Sequence, residues 1–418
     1  MNSTEPSRTS AGTLVIGAGQ AGLQLASSMR ELGYSRPITV IGGEAHPPYQ
    51  RPPLSKAFLN STVTVDELSL RSAEYYTEND ISIVSGEWVE KVVLDETNGS
   101  AGEATTRSGH TFPFERIAFT VGGTPRRMHV PGAELSGIHY LRTVDDALAL
   151  KTDLEGAAHI VVVGGGFVGL EIAASATAQG KKVTVLEAQD RLMARVVAPV
   201  MSGFYANAHR RRGTEIVLDA AVTGFRGNDR VSGVTLANER VIDADMVVVG
   251  IGLIPHTKLA TALGIATERG IDVDAYGRTR IPGIVAAGDC ANSAHPIHGA
   301  VRLESVPNAI AQAKTAAAAL LGLEPGNPAV PWFWSDQADL KLQMAGLSIS
   351  YDQVVVRGEP DSEQFSALYY REGQLISIEA VNSPADYMAA RRILESGGNI
   401  PIDTAGDTRI PLKTHFVI

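Results

Sequence analysis

Gly17-Ala-Gly19-Gln-Ala-Gly22 and Gly164-Gly-Gly166-Phe-Val-Gly169 repeat one spacing, two glycines separated by a single residue and a third glycine three positions on. The first glycine permits a tight turn, the second lets backbone N–H groups approach an anion at a helix N-terminus, and the third lets that helix pack close to the preceding strand. The ligand that needs all three is a pyrophosphate. One such turn is a weak signal, but two in one chain, 147 positions apart (164 minus 17), point to two dinucleotides, FAD on one domain and a nicotinamide dinucleotide on the other. Glu187 lies 18 residues past Gly169, where a carboxylate can accept hydrogen bonds from an adenosine ribose and repel a 2′-phosphate, which favours NADH. Arg191 stands nearby as the residue that would serve NADPH. In the first copy the corresponding acid, Glu44, is displaced two places by Gly42 and Gly43, so it reads either as a ribose ligand or as a solvated loop glutamate.

These turns need strands before them and helices after them. Thr13 to Glu44 and His159 to Glu187 each read as an apolar strand, a glycine turn, a helix of small and apolar residues and a second β-branched strand. The second domain closes on Asp245-Met-Val-Val-Val-Gly-Ile-Gly252, after which the chain returns to the first domain through Ile284-Val-Ala-Ala-Gly-Asp289 and an Ala-rich helix from about Asn308 to Leu321. Asn98 to Gly109 reads as a hairpin or loop insertion. Past the breakers Gly326, Pro328 and Pro331, short alternating runs predict antiparallel strands and then a helix near Pro384 to Ser396. The expected fold is α/β, two Rossmann-like dinucleotide-binding domains plus an α+β C-terminal domain. Its divisions are 11–122 and 253–330 for FAD, 123–252 for NADH and 331–418 for the C-terminal domain.

Composition narrows the chemistry. The 418 residues carry 36 basic and 46 acidic side chains, a net charge of −10, which argues against a broad nucleic-acid footprint. The single cysteine, Cys290, excludes an internal disulfide, a redox pair, a cysteine-ligated zinc site and an iron–sulfur cluster held by this chain. Electron transfer must therefore run on organic cofactors. No apolar run is long enough to span a membrane and the first twelve residues are polar, so a cytoplasmic location is expected.

Pro47-Pro-Tyr-Gln-Arg-Pro-Pro-Leu-Ser-Lys56, Gly164 to Ala173, Gly250 to Pro255, Gly288-Asp-Cys-Ala291, Val301 to Asn308 and Pro331-Trp-Phe-Trp-Ser-Asp-Gln337 together resemble the FAD-dependent NADH:ferredoxin reductases, from about Leu14 to Lys413. The resemblance implies a glutathione-reductase-like arrangement and electron flow from NADH through FAD to a [2Fe-2S] ferredoxin that feeds an oxygenase. It places FAD against Ala21, Lys56, Val89, Arg142, Asp289 and Val306, and Arg51 and Gly252 complete the cofactor-binding set. A carboxylate at a strand end, Asp289 can accept a ribitol hydroxyl; its plain reading is a helix N-cap. The family places the lysine corresponding to Lys56 near the flavin N5, paired with a glutamate that matches Glu171. A cation there favours negative charge on the ring, and the carboxylate limits the cost of burying it. Phe167, inside the second turn, reads either as a ring that covers the flavin or as ordinary packing. Two departures stand out: Gly43 where relatives have an acid, and Thr120-Val-Gly122 in place of Ala-Thr-Gly.

Several residues read as structural. Cys290 without a partner is a small buried side chain, His295 and His298 lack further metal ligands, and His209-Arg-Arg-Arg212 reads as a solvated helix end. The stretch Tyr49 to Ser55 holds no cysteine, which excludes disulfide chemistry there. The competing functions are a quinone reductase, which needs an amphipathic membrane-binding stretch, and an FAD-binding interaction protein related to apoptosis-inducing factor; Arg409 to Ile418 is too short and too proline-interrupted for a membrane helix. Residues 331–418 hold 7 basic and 12 acidic residues, so an acidic ferredoxin needs a local patch. The resemblance offers Lys314, Arg391 or Arg392 and Lys413 for it, with Trp332 and Trp334 as apolar surface or as core.

Overall fold

In the computed structural model, residues 11–95, 99–295, 298–326 and 328–415 are described. The polar N-terminal ten residues, Asn98 and the last three residues of the chain lie outside them. The chain forms two compact units, one from Met1–Gln50, Asp66–Thr124 and Ile254–Ala329, the other from Arg51–Val65, Pro125–Leu253 and Val330–Ile418.

In the first unit a five-stranded parallel sheet runs in the order Ile284–Ala286, Arg116–Phe119, Thr13–Ile16, Ile38–Ile41, Ile81–Val84. Its strands read as unbroken apolar runs because both faces are covered. Val15 packs with Leu25 and Met29 of helix Gln20–Glu31 and with the alanines of helix Val306–Leu320, while Leu14 and Ile16 face Val89, Val92 and Phe114 of a three-stranded antiparallel sheet. Residues 102–106 and 111–114, in and after the stretch read as a hairpin or loop, supply two of that sheet's strands. The alanine-rich helix runs Val306–Leu320, and Gly322 beyond it takes a positive φ of 72°.

The second unit repeats the parallel sheet in the order Glu215–Val217, Lys182–Leu186, His159–Val163, Met246–Val249, Ile138–His139. It also holds a five-stranded antiparallel sheet, Trp332–Gln337, Leu340–Gly346, Gln374–Val381, Gln364–Arg371, Gln353–Glu359, in that order. Alternation along Gln364–Arg371 assigns its faces. Phe365, Ala367 and Tyr369 share one core with Phe204, Tyr205 and Met201 of helix Pro199–Arg211, while Leu368 and Tyr370 face Tyr387, Ala390 and Ile393 of helix Pro384–Glu395. Residues 51–65, assigned from sequence to the FAD part, group with this unit. Leu59 packs with Leu150, Leu154 and Ala173, and Gln179 Nε2 donates to the Leu59 carbonyl at 3.3 Å.

Candidate functional site

In the first unit Gly17 has φ +114°, and a Cβ there would meet the Thr120 carbonyl oxygen at 2.2 Å. A Cβ on Gly22 would meet the Gly17 oxygen at 2.0 Å. The fold therefore forces both to be glycine. Gly19 differs: it is the N-cap of helix Gln20–Glu31 with no side-chain cap, and a Cβ on it would meet nothing within 4 Å. That open ground beside uncapped N–H groups suits a phosphate. Thr120, one of the departures, closes the turn by donating its hydroxyl to the Gly17 oxygen at 2.8 Å.

The other departure also has a physical reason. A Cβ on Gly43 would come within 2.4 Å of Trp88 Cε3, so an acid cannot stand there while the indole keeps its place. The neighbouring Glu44 is half-buried, and its Oε2 accepts from the Tyr49 hydroxyl at 2.5 Å. Gly288 has φ +82° and its N–H donates to Gln312 Oε1 at 2.9 Å. Asp289 follows it in a turn between strands Ile284–Ala286 and Ala291–His295, and not at a helix start. Ala21 is buried in the first turn of its helix, Val89 begins strand Val89–Leu94, and Val306 begins helix Val306–Leu320 behind its Ser305 cap. Cys290 is fully buried, and burial pushes its thiol up to about 11, so it is not a nucleophile at neutral pH.

In the second unit the turn is built the same way. Gly164 has φ +106°, with a Cβ position 2.5 Å from the Gly250 oxygen, and on Gly169 a Cβ would meet the Gly164 oxygen at 2.3 Å. Gly166, the uncapped N-cap of helix Phe167–Ala178, has nothing within 4 Å. Glu187 ends strand Lys182–Leu186, and its two oxygens accept from Gly165 N at 2.7 Å and Gln189 N at 2.9 Å. The carboxylate is thus fixed beside the turn. Arg191 is engaged elsewhere: its guanidinium donates to the Val197 and Ala194 carbonyls and to Ser202 Oγ at 2.7, 2.6 and 2.9 Å. Arg195, missed in the sequence, is exposed and lies 3.3 Å from the Cβ position of Gly252, which has φ +113°.

Lys56 ends the 3₁₀ turn Pro52–Ser55, and its ammonium reaches Glu171 Oε2 at 2.8 Å. Glu171 is only 5% exposed and takes two further hydroxyls, Ser55 Oγ on Oε2 at 2.5 Å and Ser335 Oγ on Oε1 at 2.7 Å. Ser335 accepts from Gln337 Nε2 at 3.2 Å, and Gln337 Oε1 pairs with His209 Nε2 at 2.8 Å. With the amide nitrogen of Gln337 committed to Ser335, its oxygen must accept, so His209 carries its proton on Nε2. Burial lowers the His209 pKa and keeps it neutral. The reading of His209 to Arg212 as a solvated helix end is therefore corrected. His209 is buried, and Arg212 binds Glu363 and Asp339 of the C-terminal region at 2.5 and 2.6 Å.

Phe167 packs its ring against Phe333 at a centroid distance of 4.6 Å. Arg51 donates to the Arg142 carbonyl at 2.7 Å, and Asp146 caps the Arg142 N–H at 3.0 Å. Trp332 and Trp334 are half-buried, with Arg391 over the Trp332 ring at 4.8 Å. The His295 and His298 rings stack at 4.8 Å, and among the described residues no group of three or more His, Cys, Asp or Glu side chains is placed to hold a metal. No helix among the described residues is long and apolar enough to cross a membrane. Each turn, with its closed outer glycines and open central one, fits a dinucleotide.

Residues 12–313 match the pyridine nucleotide-disulphide oxidoreductase family, and residues 332–416 match a reductase C-terminal domain. The chain belongs to that family. Rhodocoxin reductase of Rhodococcus erythropolis is 43% identical over 404 residues, 96% of this chain and 93% of its own length. The ferredoxin reductase for the CYP199A2 system of Rhodopseudomonas palustris superposes with a TM-score of 0.91 at 39% identity, covering 96% of this chain and 99% of the other. The covalent putidaredoxin reductase–putidaredoxin complex gives 0.91 at 34%, covering 96% and 97%. Within this family the single buried cysteine leaves no disulfide to reduce.

Proposed function

We propose that this oxidoreductase passes electrons from NADH through FAD to a [2Fe-2S] ferredoxin serving an oxygenase. The observation that carries the reading is the pair of glycine turns, each closed at its outer glycines and open at its centre, in a chain with one buried cysteine. The names of its relatives, a rhodocoxin reductase and a ferredoxin reductase for the CYP199A2 system, point to the same acceptor class. When bound, FAD takes a hydride from NADH and releases electrons singly, which suits a one-electron acceptor.

The chain's own groups bind and orient. FAD belongs to the 11–122 and 253–330 parts, with Gly17, Gly19, Ala21 and Gly22 at its pyrophosphate. Glu44 serves its ribose, and Val89, Asp289 and Val306 line the remainder. NADH belongs to 123–252, with Gly164, Gly166, Gly169 and Gly252 around its phosphates. Glu187, already held by two N–H groups, keeps free lone pairs for a ribose diol and repels a 2′-phosphate. Because Arg191 is spent on its own loop, NADH is favoured over NADPH. By family resemblance alone, Lys56, Arg51 and Arg142 contribute to flavin binding and Phe167 covers the ring. Glu171 and its two hydroxyl donors hold the Lys56 ammonium at one point. A cytoplasmic location, where NADH is formed, accords with this chemistry. The purified protein should be yellow and should bleach with NADH; a colourless holoprotein, or one reduced only by thiols, would overturn the reading.

A further inference from the structure

Trp88 is 44% exposed, while the other two tryptophans, Trp332 and Trp334, are half-buried. It stands directly before strand Val89–Leu94, whose first residue packs in the core with Leu14 and Ile16. Side chains alternate along a strand, so the indole faces the opposite way from Val89. There it lies on Gly43: a Cβ on that glycine would meet Trp88 Cε3 at 2.4 Å and Cζ3 at 3.1 Å. Backbone bonds fix this register. Gly86 N–H donates to the Glu44 carbonyl at 2.8 Å, Glu87 N–H to the Gly42 carbonyl at 2.9 Å, and Arg107 N–H to the Trp88 carbonyl at 2.8 Å. The His256 ring meets the indole nearly edge-on, at 83° with 5.3 Å between centroids, and His256 N–H donates to the Gly122 carbonyl at 3.0 Å.

These contacts lead back to the first glycine turn. Gly17 N–H donates at 2.8 Å to the carbonyl of Ile41, the last residue of strand Ile38–Ile41, and a Cβ on Gly42 would meet Ala18 Cβ at 2.6 Å. All of these residues belong to the first unit. In such a turn the pyrophosphate lies at the helix N-terminus and the nucleoside extends past the end of the second strand, where an acid ordinarily takes the ribose. That end carries two glycines here, and the acid beyond them, Glu44, accepts from the Tyr49 hydroxyl. An indole stands over the glycines instead. An exposed aromatic face beside a nucleoside site is a platform on which a purine stacks.

We propose that Trp88 is a binding residue for the adenine of FAD, its indole supplying by stacking the hold that a carboxylate at position 43 cannot supply in this chain. The inference rests on the assignment of FAD to the first turn. The missing side chain at Gly43 and the indole at Trp88 are then one feature, since the glycine makes the room in which the ring lies. The isoalloxazine sits on the far side of the pyrophosphate, so the adenine is the ring that the indole meets. A substitution at Gly43 acts through Trp88, because an added methyl displaces the indole before it touches anything else.

The test is the rate at which the FAD-loaded protein releases its flavin after dilution, measured as the flavin absorbance that stays with the protein on filtration at timed intervals. Trp88→Leu, which still covers Gly43 but offers no aromatic face, should release FAD about tenfold faster than wild type, the loss of one base–aromatic stack. Trp88→Phe keeps a stacking face and should stay within about threefold of wild type, with an unshifted flavin absorbance band. Gly43→Ala should speed release when made alone and add nothing to Trp88→Leu, as expected for two changes acting on one contact. Wild-type release in Trp88→Leu, equal release in Trp88→Leu and Trp88→Phe, or additive effects of Gly43→Ala and Trp88→Leu would overturn the inference. A shifted flavin band in Trp88→Phe would place the indole at the isoalloxazine and overturn it too. A wild-type protein that purifies without FAD would overturn the assignment of the first turn, and this inference with it.

Discussion

Gly166→Ala isolates cofactor binding from folding at one atom. Gly166 has φ −82° and ψ 177°, which alanine adopts freely, and its added methyl would meet nothing within 4 Å. As an N-cap, alanine costs about 0.5–1 kcal/mol relative to glycine, and reduced freedom of the unfolded chain returns about 0.4–1 kcal/mol. Stability should therefore stay within about 0.5 kcal/mol of wild type. The same methyl stands where the pyrophosphate must approach the helix N–H groups, and charge-assisted hydrogen bonds of that kind are worth about 1.5–3 kcal/mol each. Loss of one raises KM for NADH at least about tenfold. Gly169→Ala is the contrast, because its Cβ would lie 2.3 Å from a backbone oxygen and can be accommodated only by moving the helix, at about 1–3 kcal/mol. The assay is NADH-dependent ferricyanide reduction alongside thermal melting and flavin absorbance. Unchanged KM in a normally folded Gly166→Ala protein would refute the reasoning, as would an undisturbed melting temperature in Gly169→Ala.

Other outcomes follow from the same geometry. Gly19→Ala should fold but purify with depleted flavin, measured as the ratio of absorbance at 450 to that at 280 nm, whereas full flavin content would count against the first turn. Glu187→Ala, alone or with Ala188→Arg, should narrow the preference for NADH over NADPH in kcat/KM, and a wild type indifferent to the two would contradict the role of Glu187. Lys56→Met should cost about 2 kcal/mol in denaturant unfolding by leaving Glu171 to its two hydroxyls, and Lys56→Met combined with Glu171→Leu should recover much of that loss. Glu379, held near 7 in the folded protein against an ordinary 4.5, makes folding favour its protonated form. Its contribution is full below pH 4.5 and falls by about 3 kcal/mol as pH rises through about 7, a slope that calorimetry should find flattened in Glu379→Gln. Charge reversal at Lys314 or Lys413, both exposed, should raise KM for ferredoxin and leave ferricyanide reduction intact; unchanged ferredoxin kinetics would move the docking surface elsewhere.

The turns were legible because glycine spacing is a local signal with one physical meaning, and the strands beside them followed from apolar runs feeding those turns, whereas the order of strands in each sheet had no local signal. The partners of Glu171 were not. Ser55 and Ser335 stand 116 and 164 residues from it in the chain, and nothing in either local sequence marks a hydroxyl as a carboxylate's donor. The His209 misreading had a usable warning, since Met201, Phe204, Tyr205 and Ala208 are buried at helical spacing and place His209 on the same face. Gly43 looked like a missing ligand because Trp88, which forbids a side chain there, is 45 positions away. The spacing of Glu187 marked it as a candidate ribose ligand, whereas the commitment of Arg191 to its own loop became visible only in three dimensions.

The most direct measurement is NADH-driven cytochrome c reduction by the purified protein across a panel of [2Fe-2S] ferredoxins, with a rubredoxin and a soluble quinone as comparators. Cytochrome c reduction that is negligible alone, turns on with a [2Fe-2S] ferredoxin, weakens with rising salt and consumes one NADH per two cytochromes is the predicted result. Rapid NADH oxidation with the quinone or ferricyanide, and none with any iron–sulfur protein at any ionic strength, would contradict it.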